Sequence, residues 1–382
     1  MRTLELSEFT LDEFLTNYWQ QKPVLIRQGL PGFRDLISPD ELAGLACESQ
    51  IESRLIWRQN DQWLAESGPF SDYERMGERD WTLVVQAVDH WSPDVAALVE
   101  RFSFIPKWRL DDVMISFAAP GGGVGPHIDL YDVFICQGSG RRRWRVGDRG
   151  HHRQFAAHPA LLHTDAFDAI IDAEVRAGDV LYIPPGFPHE GVSLESSMSF
   201  SVGFRSRSAT QMLSGLADYL IDRELGTALI SDPRRELTTR QGYISRSDFA
   251  MIRQQMQDVL DDELLMTDVI GSLLSQTRCE LDLQPLEAPL DEAELLDLFA
   301  QENLRRVGGL RCFYLEPQIQ HGVCYVDGQR YAFGAELSDA VMMLCNHDTL
   351  STALLNGALR HPEFVACLCD WVNQGYWYFE EM

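Results

Sequence analysis

The chain has 382 residues, more than a single core of average size accommodates, so two or three domains are expected. Its formal net charge of −26 argues against nonspecific nucleic-acid binding and favours a basic partner; naked RNA would be repelled. Eight scattered cysteines include no CxxC pair (Cys367 and Cys369 are one residue apart) and no run approaches eighteen apolar residues, so reduced thiols, a cytoplasmic setting and no membrane span are expected.

The opening MRTLELSEFTLDEF is acidic and amphipathic, unlike a secretory signal. Thr10 is placed to cap a helix through about Gln20, and Pro23 opens a short strand over 24–27. Ser38-Pro39-Asp40-Glu41 is a strong helix start: a capping serine, a first-turn proline and a glutamate three residues on. Residues 53–59 and 62–64 flank Asn60-Asp61 and predict a hairpin. A strand is expected over 81–88, and Ser92-Pro93 opens a helix to about Phe102. His90, between them, reads as a structural histidine rather than a ligand.

The chemistry concentrates between 112 and 204. Residues 112–118 predict a strand, with Ser116 on the Met114/Ser116/Ala118 face. Gly121-Gly122-Gly123-Val124-Gly125 lacks the Gly-Lys-Ser/Thr of a phosphate loop and reads as a pliable lip. His127-Ile128-Asp129 follows; in an extended segment the two polar side chains share a face. Residues 132–137 and 141–146, joined by Gly138-Ser139-Gly140, read as a hairpin. Arg142, Trp144 and Val146 share its buried face. A buried arginine requires an anionic partner, either a bound oxo-acid or an acidic residue elsewhere in the chain. Ser116 is either a second donor to such a ligand or a core hydroxyl, and Gln137 and Tyr131 either hold substrate or pack. The polar stretch around His151, His152 and His158 reads as solvent-facing. A second His-x-Asp, His163-Thr164-Asp165, has no strand pattern around it and reads as a solvated loop pair. Ala177-Gly178-Asp179 turns into an apolar strand stopped by Pro184-Pro185-Gly186, and His189 follows. Met198, Phe200, Val202 and Phe204 alternate with Ser199, Ser201 and Gly203, as on a strand bordering a barrel cavity. His127, Asp129 and His189 together form a two-histidine, one-carboxylate set, which leaves three positions of an octahedral ion open, as in non-haem Fe(II) oxygenases.

From Ser208 the period becomes helical, to about Leu225. Residues 226–246 read as linker, 247–276 as helical, and 281–290 as a second linker. The tail predicts a helix over 291–301, a strand over 310–315, a hairpin turning at Asp327-Gly328, and two more helices. Helices followed by a hairpin suggest a winged-helix-like module, here without a basic stripe, so a docking or structural role is preferred to nucleic-acid binding.

The runs GGGVGPHIDLYDVFICQGSGRRRWRVG and AGDVLYIPPGFPHEGVS resemble the JmjC/cupin 2-oxoglutarate oxygenases. More closely, they resemble the bacterial ribosomal oxygenases, which hydroxylate an arginine of large-subunit ribosomal protein sixteen. SPDELAGLA, LVVQAVDHW, GLADY and GYWYFE extend the likeness over nearly the whole chain. The resemblance implies an α+β fold: a double-stranded β-helix (JmjC/cupin barrel) over 1–207, a helical dimerisation domain over 208–284 and a C-terminal winged-helix-like domain over 285–382. It implies Fe(II) held by His127, Asp129 and His189, and 2-oxoglutarate anchored by Arg142 and Ser116. With dioxygen, these would hydroxylate the β-carbon of an arginine in a basic ribosomal protein, and the chain would be a homodimer. Two other readings are a related oxygenase acting on another side chain or on RNA, and a non-enzymatic cupin sensor with a DNA-reading tail. Arg142 on a buried face favours the oxygenases, and the acidity counts against the DNA reader.

Overall fold

Period-two patterning dominates the first half of the chain, and the fold turns it into two facing antiparallel sheets. The computed structural model describes residues 3–380 other than 7 and 356. Those residues divide into two units. The first runs to Ser206 and includes Cys279–Asp282 and Val307–Gly309; the second takes Arg207–Arg278, Leu283–Arg306 and the rest of the chain from Leu310.

The strands of the first unit are β1 (Val24–Ile26), β2 (Ser53–Gln59), β3 (Gln62–Ser67), β4 (Trp81–Val85), β5 (Leu110–Ala118), β6 (His127–Ile128), β7 (Asp132–Gln137), β8 (Arg141–Gly147), β9 (Gln154–His158), β10 (Leu161–Thr164), β11 (Ala169–Arg176), β12 (Val180–Ile183), β13 (Pro188–Ser193) and β14 (Ser197–Phe204). One sheet has the order β1-β12-β7-β14-β5-β4-β2-β3, the facing sheet β11-β8-β13-β6, and β9 pairs with β10 alone. This is the expected double-stranded β-helix.

β14 shows how the faces are assigned. Met198, Phe200, Val202 and Phe204 enter a core with Phe14, Phe102, Phe134 and Tyr182. Ser199 and Ser201 turn to a cavity between the sheets. β7 is buried at every residue. Phe134 and Cys136 join the same core, while Val133 and Ile135 join Trp144, Val146 and Leu181 inside the barrel. Burying each such large apolar side chain contributes roughly 1.5–3 kcal/mol.

The expected hairpin over 132–146 does not form. β7 lies between β12 and β14, whereas β8 lies between β11 and β13 in the other sheet. The segment between them crosses from sheet to sheet. Gly140 makes the corner at φ +71°, where a Cβ would sit 2.2 Å from the Ser196 carbonyl oxygen. The physical reason lies in burial: β7 has no wet face, whereas β8 alternates. The outward Arg143 and Arg145 pair with Asp172 (2.7 Å) and Glu190 (2.7 Å) on the flanking strands.

The glycine run before His127 is not a lip. Gly121 N–H donates to Ser193 O (2.7 Å), and Ser193 N–H returns a bond to Gly122 O (2.8 Å). A Cβ on Gly122 would lie 2.1 Å from Trp81 O, and one on Gly123 2.4 Å from Gly191 O. The glycines let backbone approach backbone.

Helices α1 (Leu11–Asn17) and α2 (Pro39–Leu45) both start with complete capping boxes, at Thr10/Glu13 and Ser38/Glu41. α1 ends short of Gln20, which adopts φ +59°. Ser92 caps α3 (Pro93–Leu98), and a 3-10 turn continues to Phe102. β4 stops at Val85, because Ala87 turns left-handed and Val88–His90 coils into a 3-10 turn. His90 is buried with Nδ1 2.8 Å from Glu280 O, the structural role expected of it. Asn60 and Asp61, both at positive φ, close the β2–β3 hairpin.

In the second unit, Ser208 caps α4 (Ala209–Asp222). The helical stretch expected over 247–276 is two helices, α5 (Arg246–Asp261) and α6 (Glu263–Ser275), because Asp262 leaves helical geometry to cap the second. Gly271 of α6 admits the Tyr325 ring, and Tyr325 Oη donates to Asp268. α7 (Glu292–Phe299) carries another capping box, at Asp291/Glu294. Cys312–Phe313, Val323–Val326 and Gln329–Ala332 form one small sheet, turning at Asp327 and Gly328 with positive φ. Leu304–Arg306, Thr349–Leu350 and Trp377–Phe379 form another.

Candidate active site

Two short strands bring the predicted ligands together. β6 pairs with β13 so that His127 and His189 are direct cross-strand partners. Their rings lie 4.2 Å apart, centroid to centroid. Asp129, two residues beyond His127, reaches the same point: its Oδ2 is 3.8 Å from His127 Nε2 and 3.6 Å from His189 Nε2. One ligand atom from each of the three residues falls within 4.8 Å of the others.

Backbone carbonyls orient both rings. His127 Nδ1 is 2.9 Å from Gly125 O, and His189 Nδ1 is 3.0 Å from Phe187 O. With Nδ1–H donated to a carbonyl, each Nε2 presents a lone pair towards Asp129. Burial and the nearby His189 push the His127 imidazole down to about 4, which keeps it neutral and able to ligate. Burial alone would raise the Asp129 carboxyl, but the two histidines and a hydrogen bond from Tyr131 outweigh it and hold it at about 2. A carboxylate and two imidazoles suit a divalent first-row metal with open positions.

The triad opens on a cavity of about 210 Å³. Arg142 lies in its wall, 6% exposed. Nε donates to Ser197 Oγ (2.8 Å), Nη1 to Ser116 Oγ (2.8 Å), and Nη2 to Ser116 O (2.9 Å) and Ser197 O (3.1 Å). Every one of these acceptors is neutral, and no carboxylate pairs with Arg142 among the described residues. Burial pulls its guanidinium down to about 9. Four of the five N–H groups are engaged; the fifth, on Nη1, remains available to a ligand. Trp144, also in the wall, has a buried Nε1–H without an acceptor among the described residues. Two donors and an unneutralised charge give the cavity the chemistry of a site for a small anion.

Other expected residues fall elsewhere. Gln137 does not line the cavity: it is fully buried, donates to Ser139 O and Met198 O, and accepts from Ser199 Oγ. Tyr131 does line it, with a hydroxyl that serves Asp129. His163 is not in a solvated loop. It sits on β10, 2% exposed, in the cavity wall, while Asp165 is half exposed. The signal missed was the short run Leu161-Leu162-His163-Thr164 after a Pro159-Ala160 turn, buried at every residue but Leu162. His151 is exposed, but His152 is partly covered, with Nε2 on Asp148 O, and His158 ends β9.

Fold and site are those of the JmjC class: a model of the JmjC domain matches residues 97–212, and one of a ROXA-like winged helix matches 254–378. The chain is 44% identical to the ribosomal protein uL16 3-hydroxylase of Escherichia coli (strain K12), across 96% of this chain and 97% of that protein. A probable ribosomal oxygenase of Haemophilus influenzae is 28% identical across 98% and 99%. The structure of the E. coli ribosomal oxygenase YcfD in complex with cobalt and 2-oxoglutarate superposes with a TM-score of 0.92 at 42% identity, over the whole of both chains. Its complex with cobalt and succinic acid gives 0.91. The chain belongs to the JmjC-type ribosomal oxygenase family.

Proposed function

We propose that this chain is an Fe(II)- and 2-oxoglutarate-dependent hydroxylase that acts on the β-carbon of an arginine in ribosomal protein uL16. One observation carries the reading furthest: Arg142, buried and without a carboxylate among the described residues, shares a cavity with His127, Asp129 and His189. A metal-only sensor leaves that charge unexplained.

In this reading His127 and His189 ligate through Nε2, with Gly125 O and Phe187 O fixing their tautomers, and Asp129 supplies the anionic ligand, steadied by Tyr131. Bound iron would supply activation of dioxygen, coupled to oxidative decarboxylation of 2-oxoglutarate to succinate. Arg142 holds the cosubstrate's far carboxylate through its remaining N–H, and the Ser116 hydroxyl, which already accepts from Arg142, donates its own proton to the same carboxylate. Val133, Ile135 and Trp144 keep that end of the cavity dry. The protein's part is to place one C–H bond and exclude water around it.

The regions 1–207, 208–284 and 285–382 serve as oxygenase, dimer seam and C-terminal winged-helix-like module. The homodimer is supported by apolar side chains left exposed on the helices of the middle region, among them Leu213, Ile221, Phe249, Ile252, Met256 and Leu260. A cytoplasmic site of action is supported by eight free cysteines. No helix among the described residues is long and apolar enough to cross a membrane. A net charge of −26 suits a basic protein substrate rather than direct nucleic-acid binding.

The test is mass spectrometry of a uL16 peptide containing arginine, incubated with the chain, Fe(II), ascorbate and 2-oxoglutarate, beside Asp129→Ala. A gain of one oxygen on arginine that the variant abolishes is the expected result. Succinate formation without peptide oxidation would mean a different substrate. Neither product from a metal-loaded chain would sink the enzyme reading.

A further inference from the structure

Two His-x-Asp motifs occur in this chain, and the fold brings the second beside the first. β10 runs along the segment that leads into His127. His163 Nε2 lies 2.9 Å from Val124 O, and the next residue's backbone, Thr164 N–H, donates to Pro126 O at 2.9 Å. These two bonds bracket Gly125. Gly125 O in turn accepts from His127 Nδ1 and sets that ligand's tautomer and tilt.

The His163 ring also packs directly on Gly125. A Cβ on Gly125 would lie 2.2 Å from its Cε1 and 2.4 Å from its Nε2. Gly125 has φ +81°, so glycine is required there both by backbone conformation and by the ring. On its far side the ring is braced edge-on by Trp63 (5.0 Å, 85°). His163 is therefore fixed by packing on one side and spends its Nε2–H on the segment that carries the ligand's own acceptor.

We propose that His163 is a positioning residue for the metal centre: it clamps the Val124–Gly125–Pro126 segment so that Gly125 O keeps His127 Nε2 turned to the point it shares with Asp129 and His189. Groups that orient a ligating histidine typically carry 10–100-fold in metal affinity, and this clamp acts one step further out, on the backbone that supplies the orienting carbonyl. The inference rests on the metal-site reading above, so its test separates the two.

The experiment is Co(II) titration of the full chain, followed by its visible absorption bands, which report coordination geometry. Substrate and 2-oxoglutarate are absent, so turnover plays no part. His163→Leu fills similar space without a donor, His163→Gln keeps a side-chain N–H, and Gly125→Ala displaces the ring while leaving His163 intact. The expected result is about a tenfold or greater loss of Co(II) affinity with altered band positions in His163→Leu and Gly125→Ala, and substantial recovery in His163→Gln. A purely structural role would lower thermal stability in the variants but leave the spectrum of the Co(II)-loaded protein unchanged. Wild-type affinity and bands in folded His163→Leu, or in folded Gly125→Ala should the first variant not fold, would overturn the proposal. Failure of the parent chain itself to bind Co(II) would overturn the metal-site reading and this proposal with it.

Discussion

At the scale of single residues, the site separates charge from ligation. In the proposed metal site His127 ligates as a neutral imidazole, and its burial beside His189 favours that form. The same arrangement has a cost in acid. Below its ordinary value of 6.5 the unfolded chain takes up a proton at this imidazole, while the folded metal-free chain refuses it until about pH 4. Stability of the metal-free protein should therefore fall as pH drops from about 6.5 to 4, and His127→Gln should remove part of that fall. Thermal melts across this window check it; parallel curves for the two proteins would contradict it. Arg142 is the other residue with a defined burden. Arg142→Met should weaken 2-oxoglutarate binding by about two orders of magnitude, the scale of removing one partner of a buried charge pair, and leave Co(II) affinity unchanged. Calorimetric titration of each ligand separates the two effects. Both residues were legible in the sequence, because His-x-Asp spacing and an arginine on an otherwise apolar face are local signals. His163 was not: its meaning depends on Val124 and Gly125, thirty-eight or more positions earlier, and nothing local marks that contact.

At the scale of elements, capping, alternation and the hairpins at Asn60-Asp61 and Asp327-Gly328 survived into the structure, whereas the pairing of β7 with β8 did not. Ser38 caps α2 as its spacing predicted. Ser38→Ala should cost about 1 kcal/mol, visible as a small drop in melting temperature without loss of metal binding. Gly122→Ala should cost more, because the added Cβ meets backbone at Trp81 rather than a movable side chain. It should also weaken the metal site, since the displaced strand leads to His127; melting and Co(II) affinity measured together test both halves. The misread hairpin shows why pairing is harder than pattern. Gly138-Ser139-Gly140 joins two strands over a turn-length gap, and proximity in sequence favours pairing them. The contrast that mattered was between β7, buried on both faces, and β8, with Arg141, Arg143 and Arg145 on an outer, wet face. Strands with such different surroundings belong to different sheets, and recognising this would have replaced the hairpin with a crossing. The glycine run was misjudged similarly: its residues look flexible in sequence, yet Gly122 and Gly123 are spent on close backbone approaches, Gly121 on the Asp80 side chain and Gly125 on the His163 ring.

At the scale of the molecule, the dominant property is charge. A chain carrying −26 attracts a basic substrate over distances that salt screens. Raising ionic strength from about 50 to 300 mM should therefore raise KM for the basic peptide several-fold and leave kcat nearly constant. Steady-state kinetics at several salt concentrations measure this, and an equal change in kcat would point instead to the catalytic step. The acidity was plain from composition. The exposed apolar residues of α4 and α5 lie on segments whose helical period was plain in the sequence, a period that core and seam share.

The guanidinium in the cavity wall, with no carboxylate partner among the described residues, also bears on metabolism. In the proposed reading Arg142 meets only the far carboxylate of the cosubstrate, a group that other four- and five-carbon diacids also present. The spent cosubstrate is one of them. Under the proposed function, hydroxylation should then slow as succinate accumulates relative to 2-oxoglutarate, which would make the extent of modification a record of carbon flux as well as of oxygen.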